Sequence, residues 1–583
     1  MYGQLQFILN KVGRKGVGLL AFTSVISSIL ELALIAGVMP LFRVLTKPDV
    51  LVEEPLLANL FSLMKLQTYQ EKILVIAIGV IIFILVKTLI QIWILYYQNK
   101  FYYVGIEKLS VEMFKSYLNA DYFFFLRENP STIIRNIKTE IPIIFQRIIT
   151  CLVMILTDGV LLLLVLSLLI YTEPIGTLIV LGLLGLINVL FYKKIKAKLK
   201  TVGEIRQKYE SETIKWINQG IGGIKDLKIL NRFEYFVNKS SFNYKELRKS
   251  SIYNDVVGKL PKIVIESTAI IILMLFILIL IRDESNFTNY IPILTLYGAA
   301  MFKVMPAVNR LMGAIIQIRY SRIALDTVHD ELKKIETYQA DFVTRKLDLS
   351  FHSFQDLKLN DLSFHYPGHE KNLVLDKVNL HIPRNTSIGF IGPSGSGKTT
   401  IINILLGLID PTNGDILVDD RSAIQNKRSW QDIIGFVPQD IYLTDDSIIS
   451  NIAFGIDESK INYDQIKKVV DLARLEELIQ SLSEGLDTRI GDRGTRLSGG
   501  QRQRIGIARA LYHNPEVLIF DEATSALDSK TEEEITKAID FLMHKKTIII
   551  VAHRVSTLRN CDYIYEIKNG KINLVDKQKL FHG

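Results

Sequence analysis

The chain has 583 residues, of which 49% are hydrophobic and 22% are charged, and its formal net charge is +9. This length allows two to four domains, and so large an apolar share is unusual for a soluble enzyme but natural for a protein that lies partly in a membrane. The only two cysteines, Cys151 and Cys561, argue against a disulfide framework or a cysteine-based metal cluster.

Six apolar segments approach or exceed the roughly 20 residues that a helix needs to cross a bilayer. They span residues 17–42, 73–97, 148–171, 175–192, 263–281 and 290–316. The first is longer than the roughly 7–15-residue apolar core of a signal peptide, so it is predicted to be a retained helix. Since six such runs would overfill a soluble core, the sequence predicts six membrane spans.

The placement of lysine and arginine predicts the orientation of these spans. Residues 193–200, directly after the fourth span, contain five lysines, so this end faces the cytoplasm. Six spans then return the C-terminal half to the same side as Lys11, Arg14 and Lys15. Because the basic residues mark the inner face, the net charge does not indicate nucleic-acid binding.

The connections between the spans are predicted to carry three further features. Residues 98–147 and 193–262 have charged, helical patterns, as expected for cytoplasmic extensions of the spans. Breaks in these extensions are predicted at 121–125 with Asn129-Pro130, and at 220–226. At each break, a short segment either docks into a groove of a neighbour or packs on its own chain. The outer loop contains a short amphipathic helix pattern at 55–66, which either contacts lipid tails or is inert.

Charged residues within the apolar segments are candidate functional groups, because an intramembrane charge normally faces a partner or a wet cavity. Two interpretations stay open. Glu31 and Glu266 neutralise the lysines as internal pairs, or the three basic residues line a water-filled path for an anionic head group. Lys303 and Arg310 share a helix face because they are seven residues apart. The acidic residues are Glu31, Asp158 and Glu266, and the basic ones are Lys87, Lys303 and Arg310.

From about Leu347 the pattern is that of a soluble α/β domain. Residues 392–399 read Gly-Pro-Ser-Gly-Ser-Gly-Lys-Thr between an apolar strand pattern and a helix pattern. In this order, backbone N–H groups and the helix N-terminus can cradle phosphates. Lys398 then contacts the β- and γ-phosphates, and the Thr399 hydroxyl holds Mg²⁺. About thirty residues earlier, the Tyr366 ring can stack on an adenine.

Further polar groups follow predicted strands of this domain. Gln439 ends one strand pattern, and Leu-Ser-Gly-Gly-Gln at 497–501 opens a helix that suits a second phosphate. The apolar run 517–520 delivers Asp521 towards Mg²⁺ and Glu522 towards the attacking water. His553 follows another apolar run and is predicted to contact the γ-phosphate.

Together these motifs resemble the ATP-binding cassette family. The stacking tyrosine, phosphate loop, glutamine loop, LSGGQ signature, acidic strand, Ser525-Ala-Leu-Asp528 loop and switch histidine occur in family order, and the run Thr488–Gly494 resembles a loop of the family's exporters. The six spans with long cytoplasmic extensions complete the exporter plan. The resemblance implies a multidomain fold, in which a six-helix transmembrane domain (1–330) and a linker (331–350) precede an α/β P-loop cassette (351–583).

The resemblance also implies an ATP hydrolase coupled to transport, with ATP and Mg²⁺ as cofactors. The implied catalytic residues are Lys398, Gln439, Glu522 and His553. The implied Mg²⁺ ligands are Thr399, Gln439 and Asp521. The implied ATP-binding residues are Tyr366, Gly392, Pro393, Ser394, Gly395, Ser396, Gly397, Lys398, Thr399, Thr400, Ser498, Gly499, Gly500, Gln501 and Asp528. Because one chain carries half of the family's plan, the signature would face the nucleotide of a partner, and a homodimer would suffice.

Within the family the organisation is similar to bacterial lipid-linked oligosaccharide flippases of the inner membrane, with the cassette in the cytoplasm. The outer-loop helix would meet a polyprenyl tail, while Lys87, Lys303 and Arg310 would offset the charge of a pyrophosphate. Two alternatives remain, namely a multidrug or glycolipid exporter of the same architecture and a non-transporting regulatory membrane ATPase. A cavity for cationic drugs is expected to be richer in acidic and aromatic groups.

Overall fold

The computed structural model describes residues 1–46, 68–172, 174–281, 287–338, 351, 354–522, 529–552 and 554–582. The chain divides into two compact units. The first comprises Met1–Ala120 and Phe124–Gln339, and the second comprises Asp121–Phe123 and Ala340–Gly583. The predicted domain boundaries at residues 330 and 350 lie on either side of the division at 339 and stay predictions.

Long helices make up the first unit, and each predicted span falls mainly within one of the six longest. The α-helices of this part of the chain are Tyr2–Val12, Arg14–Thr46, Tyr69–Leu118, Tyr122–Arg127, Pro130–Arg135, Ile141–Ile143, Thr150–Thr172, Pro174–Gly222, Ile224–Leu230, Phe233–Ile281 and Phe287–Tyr338. Among the described residues, three helical stretches are long and apolar enough to cross a membrane, Gly16–Ala33, Gln70–Leu118 and Pro130–Tyr171. The predicted outer-loop helix at 55–66 lies outside the described residues.

Both predicted breaks in the extensions are confirmed. The helix Tyr69–Leu118 ends before Asn119, and a short helix follows at Tyr122–Arg127. The Asn129 side chain caps the next helix by accepting a hydrogen bond from the backbone N–H of Ser131 at 2.9 Å, as expected for asparagine at an N-cap. The second break falls at Gly223, between Pro174–Gly222 and Ile224–Leu230.

Two π-helical segments, Asn136–Glu140 and Ile144–Ile149, flank the short helix Ile141–Ile143. Such segments are rare and frequently mark functional sites. The apolar pattern of this stretch suits a continuous helix, so sequence analysis did not identify them. Ile141, Ile144 and Phe145 from this stretch are fully buried in the core of the first unit.

The second unit is an α/β domain with ten strands among its described residues. The strands are β1 Asp356–Phe364, β2 Leu375–Pro383, β3 Ser387–Ile391, β4 Asn413–Val418, β5 Arg421–Ser422, β6 Ile434–Val437, β7 Val517–Asp521, β8 Thr547–Val551, β9 Tyr563–Lys568 and β10 Lys571–Leu574. The α-helices are Lys398–Leu405, Lys427–Gln431, Ile448–Ile452, Tyr463–Leu472, Glu476–Ser481, Gly499–Tyr512, Ser529–Leu542 and Lys577–His582. They confirm the predicted α/β class.

The strands form two sheets with different patterns. One sheet has the antiparallel order β2-β1-β4-β5, and the other has the order β10-β9-β3-β8-β7-β6. In the second sheet the neighbours from β9 to β6 are parallel, with Phe390 opposite Val551 and Phe520 opposite Ile550. Parallel strands covered on both faces need continuous apolar runs, which is the pattern of β7 and β8. Their common direction brings the C-terminal ends of β3, β6, β7 and β8 to one edge.

Candidate functional site

The phosphate loop follows β3 at this edge and leads into the helix Lys398–Leu405. Gly397 is the N-cap of that helix and has a φ of 107°. A side chain at this position would be strained, and its Cβ would lie 3.1 Å from the Val374 carbonyl oxygen. A Cβ on Gly392 would lie 2.4 Å from the carbonyl oxygen of Ile567. Glycine is therefore required at both positions for the backbone of the loop to take this course, and the inward direction of its N–H groups stays a prediction.

The Lys398 side chain crosses this loop and is buried, with 6% of the residue exposed. Its Nζ donates to the carbonyl oxygens of Gly392 at 2.8 Å and Pro393 at 3.1 Å. The Ser396 Oγ is buried in the same loop and has no hydrogen-bond partner among the described residues. A cationic donor beside an unsatisfied hydroxyl fits an anionic phosphate ligand.

Of the three predicted Mg²⁺ ligands, Thr399 lies in the first turn of the helix after β3, Asp521 is the last residue of β7, and the amide of Gln439 contacts Glu522. Among the described residues, no group of three or more His, Cys, Asp or Glu side chains gathers to hold a metal. Mg²⁺ commonly uses one or two carboxylates together with substrate phosphates, so a hydroxyl and a single carboxylate fit this ion. When bound, the ion would neutralise charge that develops on the phosphates. The roles of these ligands stay predictions.

Tyr366 lies next to the phosphate-loop helix. Its hydroxyl is 3.2 Å from the Thr400 Oγ1, and its ring packs edge-on against Phe364 with the ring centroids 5.0 Å apart. Phe123, which belongs to the second unit, stacks on Phe364 at a centroid distance of 6.3 Å. The ring of Tyr366 is thus fixed by aromatic neighbours, as a stacking platform requires. The sequence predicts the break that contains Phe123, whereas these aromatic contacts appear only in the structure.

The structure brings Gln439 and Glu522 together. The Gln439 Nε2 donates to the Glu522 Oε2 at 2.8 Å. Glu522 has a φ of 48°, and its backbone N–H donates to the Val551 carbonyl at 2.9 Å. Such a left-handed conformation costs energy in a residue with a side chain and is typical of functional positions. The amide therefore orients a carboxylate that lies at the end of the central strands, where it can act as a general base.

The signature forms a helix N-terminus of its own. The Ser498 Oγ accepts from the Gln501 N–H at 3.2 Å, and the Ser498 N–H donates to the Gln501 Oε1 at 2.8 Å. This capping box begins the helix Gly499–Tyr512. The helix packs into one apolar core, with Ile505 and Leu511, whereas Ile401 and Ile404 of the phosphate-loop helix belong to another. The two helices with phosphate-suited N-termini thus pack into different apolar cores of the cassette.

Arg509 holds the signature helix against the segment after Gln439, and sequence analysis missed it. Its guanidinium donates to the Tyr442 carbonyl at 2.8 Å and to the Asn451 carbonyl at 2.8 Å. Burial lowers the pKa of Arg509 to about 10, which still leaves it charged at neutral pH. An arginine inside a helix pattern gives no local sign of these partners.

Three predicted site features lie outside the described residues. They are Asp528 with its loop, His553, and the side chain of Lys303, whose backbone belongs to the helix Phe287–Tyr338. Their predicted roles stay predictions.

A cavity of about 960 Å³ lies among the helices of the first unit. It is lined by Ser27, Ser28, Glu31, Gln91, Ile94, Leu95, Gln98, Val153, Met154, Thr157, Asp158, Leu161, Glu266, Ile270, Met305, Pro306 and Arg310. Among these lining residues there are three carboxylates, one guanidinium and no aromatic ring. We call it the outer cavity, because its lining residues lie farther along the spans from the cytoplasmic extensions than those of a second cavity described below.

The intramembrane charges at the outer cavity are paired. The Lys87 Nζ lies 2.8 Å from the Glu31 Oε1, and 7% of the Lys87 side chain is exposed. Lys87 therefore lies behind the wall and not on it. The Arg310 Nη2 and Nε contact the Asp158 carboxylate at 2.6 and 2.9 Å, yet 49% of the Arg310 side chain is exposed. Of the two predicted path residues with described side chains, the cavity presents Arg310.

The internal-pair interpretation holds for Glu31, which pairs with Lys87. Glu266 instead lies 3.9 Å from Lys262, one turn away on the same helix. The sequence predicts an intramembrane charge at Asp158 but no partner for it. Its 152-residue separation from Arg310 leaves no sequence signal for the pairing.

Comparisons with known proteins agree with both units. Residues 16–305 match the family model described as ABC transporter transmembrane region, and residues 375–525 match the model described as ABC transporter. The chain is 30% identical to the ATP-dependent lipid A-core flippase of Cupriavidus metallidurans over 490 residues, covering 82% of this chain and 80% of the relative. It is 29% identical to the protein of the same name from Ralstonia nicotianae over 494 residues, covering 82% and 81%.

A solved structure described as a bacterial Atm1-family ABC exporter with ATP bound resembles the whole chain. The TM-score is 0.79 at 20% sequence identity, and the match covers 98% of this chain and 96% of that one. At this identity the likeness concerns the fold, which is that of an exporter.

Proposed function

The chain belongs to the ABC transporters, as a half-transporter that couples ATP hydrolysis to transport, and from that premise we propose that it flips a lipid-linked oligosaccharide across the inner membrane of a bacterium. The cargo class is a polyprenyl tail joined through pyrophosphate to a glycan. The half-exposed Arg310 guanidinium in the outer cavity carries this proposal, because arginine binds phosphate oxygens in a bidentate manner. The two relatives are named as flippases of a lipid cargo, lipid A-core.

The Arg310–Asp158 pair offers a way to bind and release such a cargo. Asp158 holds the guanidinium with two oxygens, much as a phosphate would. An arriving pyrophosphate accepts from the remaining N–H groups of the half-exposed guanidinium while Asp158 keeps its contact, so the buried carboxylate does not lose its partner. The polar wall of Ser28, Gln91 and Thr157 supports hydrogen bonding to a glycan.

We further propose a homodimer as the working unit. In a head-to-tail pair, Lys398, Gln439 and Glu522 of one copy and Ser498 with Gly500 of the other would enclose ATP and Mg²⁺. Support comes from the packing of the two helices that carry these N-termini into different apolar cores of the cassette. Binding of ATP would join the cassettes, and hydrolysis would release them.

The test is transport by the purified full chain in proteoliposomes. The polyprenyl-pyrophosphate glycan starts in the leaflet on the side of the cassettes, and it should move to the opposite leaflet only with ATP. A membrane-impermeant glycosidase on that opposite side detects the movement, and Glu522→Gln should abolish it. Arg310→Glu should remove both flipping and the cargo-stimulated increment of ATP hydrolysis. If Arg310→Glu flips the glycan at the wild-type rate, the pyrophosphate assignment is wrong.

One observation favours a second candidate, an exporter of cationic amphiphiles. Glu266 lines the outer cavity with 42% of its side chain exposed and faces Lys262 only at 3.9 Å. In contrast, the lining residues include no aromatic ring, which a cationic-drug cavity commonly uses. Transport of a cationic dye in the same vesicles separates the flippase from the exporter of cationic amphiphiles. The exporter would be favoured if the wild type accumulated the dye without flipping the glycan and Glu266→Gln lost dye accumulation.

A further inference from the structure

We infer that a second cavity of the first unit, at the cytoplasmic ends of the spans, binds a phosphate-type anion, and we call it the inner cavity. It measures about 620 Å³. Four of its lining residues are basic, Lys138, Arg147, Arg206 and Arg248, and two are acidic, Glu210 and Asp255. The lining of the outer cavity has the opposite balance, with three acidic residues and one basic residue.

Arg206 forms the buried wall of the inner cavity, with 6% of the residue exposed. Its Nη2 donates to the Glu140 Oε2 and its Nη1 to the Glu210 Oε2, both at 2.8 Å. Its Nε is buried and has no hydrogen-bond partner among the described residues. Two carboxylates thus hold this guanidinium in place, and it contributes a buried positive charge to the wall of the inner cavity.

Arg147 contributes a second guanidinium. It lies over the Tyr320 ring, with its Cζ 5.9 Å from the ring centroid. The Tyr320 hydroxyl is in turn 3.3 Å from the Ser250 Oγ, which donates to the Val202 carbonyl at 2.9 Å. The ring is therefore anchored to two further helices, and stacking leaves the N–H groups of Arg147 in its plane able to donate to a ligand.

Within the described part of the chain, the remaining cations of the inner cavity form no ion pair. Among the described residues, no carboxylate lies within 4.0 Å of the charged nitrogens of Lys138, Arg147 or Arg248. Lys138 lies in the first π-helical segment and Arg147 in the second. The backbone of a π-helical segment directs side chains differently from that of a continuous α-helix. The π-helical stretch and the long helices thereby bring unpaired positive charges to one concave site.

The inner cavity begins at the cytoplasmic interface of the membrane and extends into the cytoplasm, since Arg248 lies about 22 Å before the predicted span 263–281 at the helical rise per residue. Arg147 directly precedes the predicted span 148–171, and Asp255 lies about 12 Å before the span 263–281 at the helical rise per residue. A phosphate or pyrophosphate monoester at the cytoplasmic interface can thus reach the cavity from a lipid, and a soluble phosphate ester can reach it from the cytoplasm. For the lipid source this inference rests on the proposed function, in which the inner cavity receives the pyrophosphate before it enters the outer cavity.

Binding to the full chain in nanodiscs tests the inference, with the cassettes saturated by ADP so that the phosphate loops are filled. One arm measures a short-chain polyprenyl pyrophosphate incorporated in the disc, and the other measures inorganic pyrophosphate. The test variants are Arg248→Gln and Lys138→Gln, both on exposed side chains. The matched control is Lys245→Gln, an exposed cation on the helix of Arg248 that does not line the cavity.

Each test variant should weaken binding about 10- to 100-fold, the range for losing a charge-assisted hydrogen bond to phosphate. Lys245→Gln should bind like the wild type. Loss in the lipid arm alone identifies a head-group site, and loss in the inorganic arm alone identifies a site for soluble phosphate esters. Wild-type binding of both probes by both test variants overturns the inference. Failure of glycan flipping with intact probe binding counts against the proposed function and leaves this site standing.

Discussion

The phosphate loop and the outer cavity both present a cation, yet they are built in different ways. The loop is made by consecutive residues, and its shape depends on backbone conformations such as the φ of 107° at Gly397. The outer cavity is made by side chains from five separate helices, and Arg310 and Asp158 meet there across a separation of 152 residues. A site made by one continuous segment can be identified from its sequence, whereas a site made by helix packing cannot.

The same difference determines how each region should respond to substitution. In the cassette, a change of one atom at the reacting centre should have a large effect on the chemistry and little on stability. In the outer cavity, a change in one partner of the pair should affect stability, because the other partner stays buried and charged.

Glu522→Gln should produce the largest effect, a loss of ATP hydrolysis of more than about 100-fold, since the amide cannot accept a proton from the attacking water. ATP binding should be retained, because Gln439 Nε2 can still donate to the new side-chain oxygen. Steady-state phosphate release and nucleotide binding measure the two effects. The exposed Glu484→Gln serves as the matched control, and hydrolysis within tenfold of wild type in Glu522→Gln would contradict the role of the carboxylate.

Gly397→Ala should lower ATP affinity about tenfold, because a strained backbone at the N-cap turns the loop's N–H groups away at a cost of about 1–2 kcal/mol. Gly455→Ala is the matched control. Gly455 also has a positive φ, 79°, but no atom lies within 4 Å of the added Cβ and the residue is outside the loop. Equal losses of ATP affinity in the two variants would show that the backbone of the loop is not specifically required.

Arg310→Gln should lower the free energy of unfolding by about 3 kcal/mol. This value is at the lower end of the range for breaking a buried ion pair, because Arg310 is half exposed. Adding Asp158→Asn should restore most of this loss, since the buried carboxylate is then gone. Thermal unfolding in one detergent measures the cycle. The exposed Lys262–Glu266 pair provides the control cycle, which should show almost no coupling. Additive losses in the Arg310–Asp158 cycle would refute the pairing.

Arg384→Gln should have the smallest effect, a loss of about 1 kcal/mol or less at pH 7. Burial alone would raise the pKa of Glu516, but hydrogen bonding from Arg384 and the charge of Lys546 outweigh it and lower the pKa in the folded chain. The pair therefore stabilises the fold above the unfolded pKa of a glutamate, and this stabilisation is lost as the pH falls.

Thermal unfolding of the full chain at pH 7 and below pH 4 measures this difference. Arg428→Gln, which removes an exposed pair with Asp432, is the control. A destabilisation of Arg384→Gln that is equal at both pH values would exclude the proposed linkage to Glu516.

The sequence by itself determined the spans, the breaks in the cytoplasmic extensions, the α/β class of the second unit and the positions of the phosphate loop, the signature and the acidic strand end. These features depend on apolar length, on local turn chemistry and on continuous buried strands, which all act between residues close in the chain. The order of the parallel strands then explains why Gln439 and Glu522 meet, although only the structure shows their 2.8 Å contact.

Only the tertiary structure decided which charges pair and which stay free. From the sequence, Asp158 could pair with any basic residue at the same depth in the membrane. Packing of the helices pairs it with Arg310 and pairs Lys87 with Glu31. The π-helical turns that bring Lys138 and Arg147 to the inner cavity are likewise set by packing, since their apolar pattern also suits an ordinary helix. The physical reason is that pairing between charges depends on distance in space, which the spacing of residues along the chain does not determine.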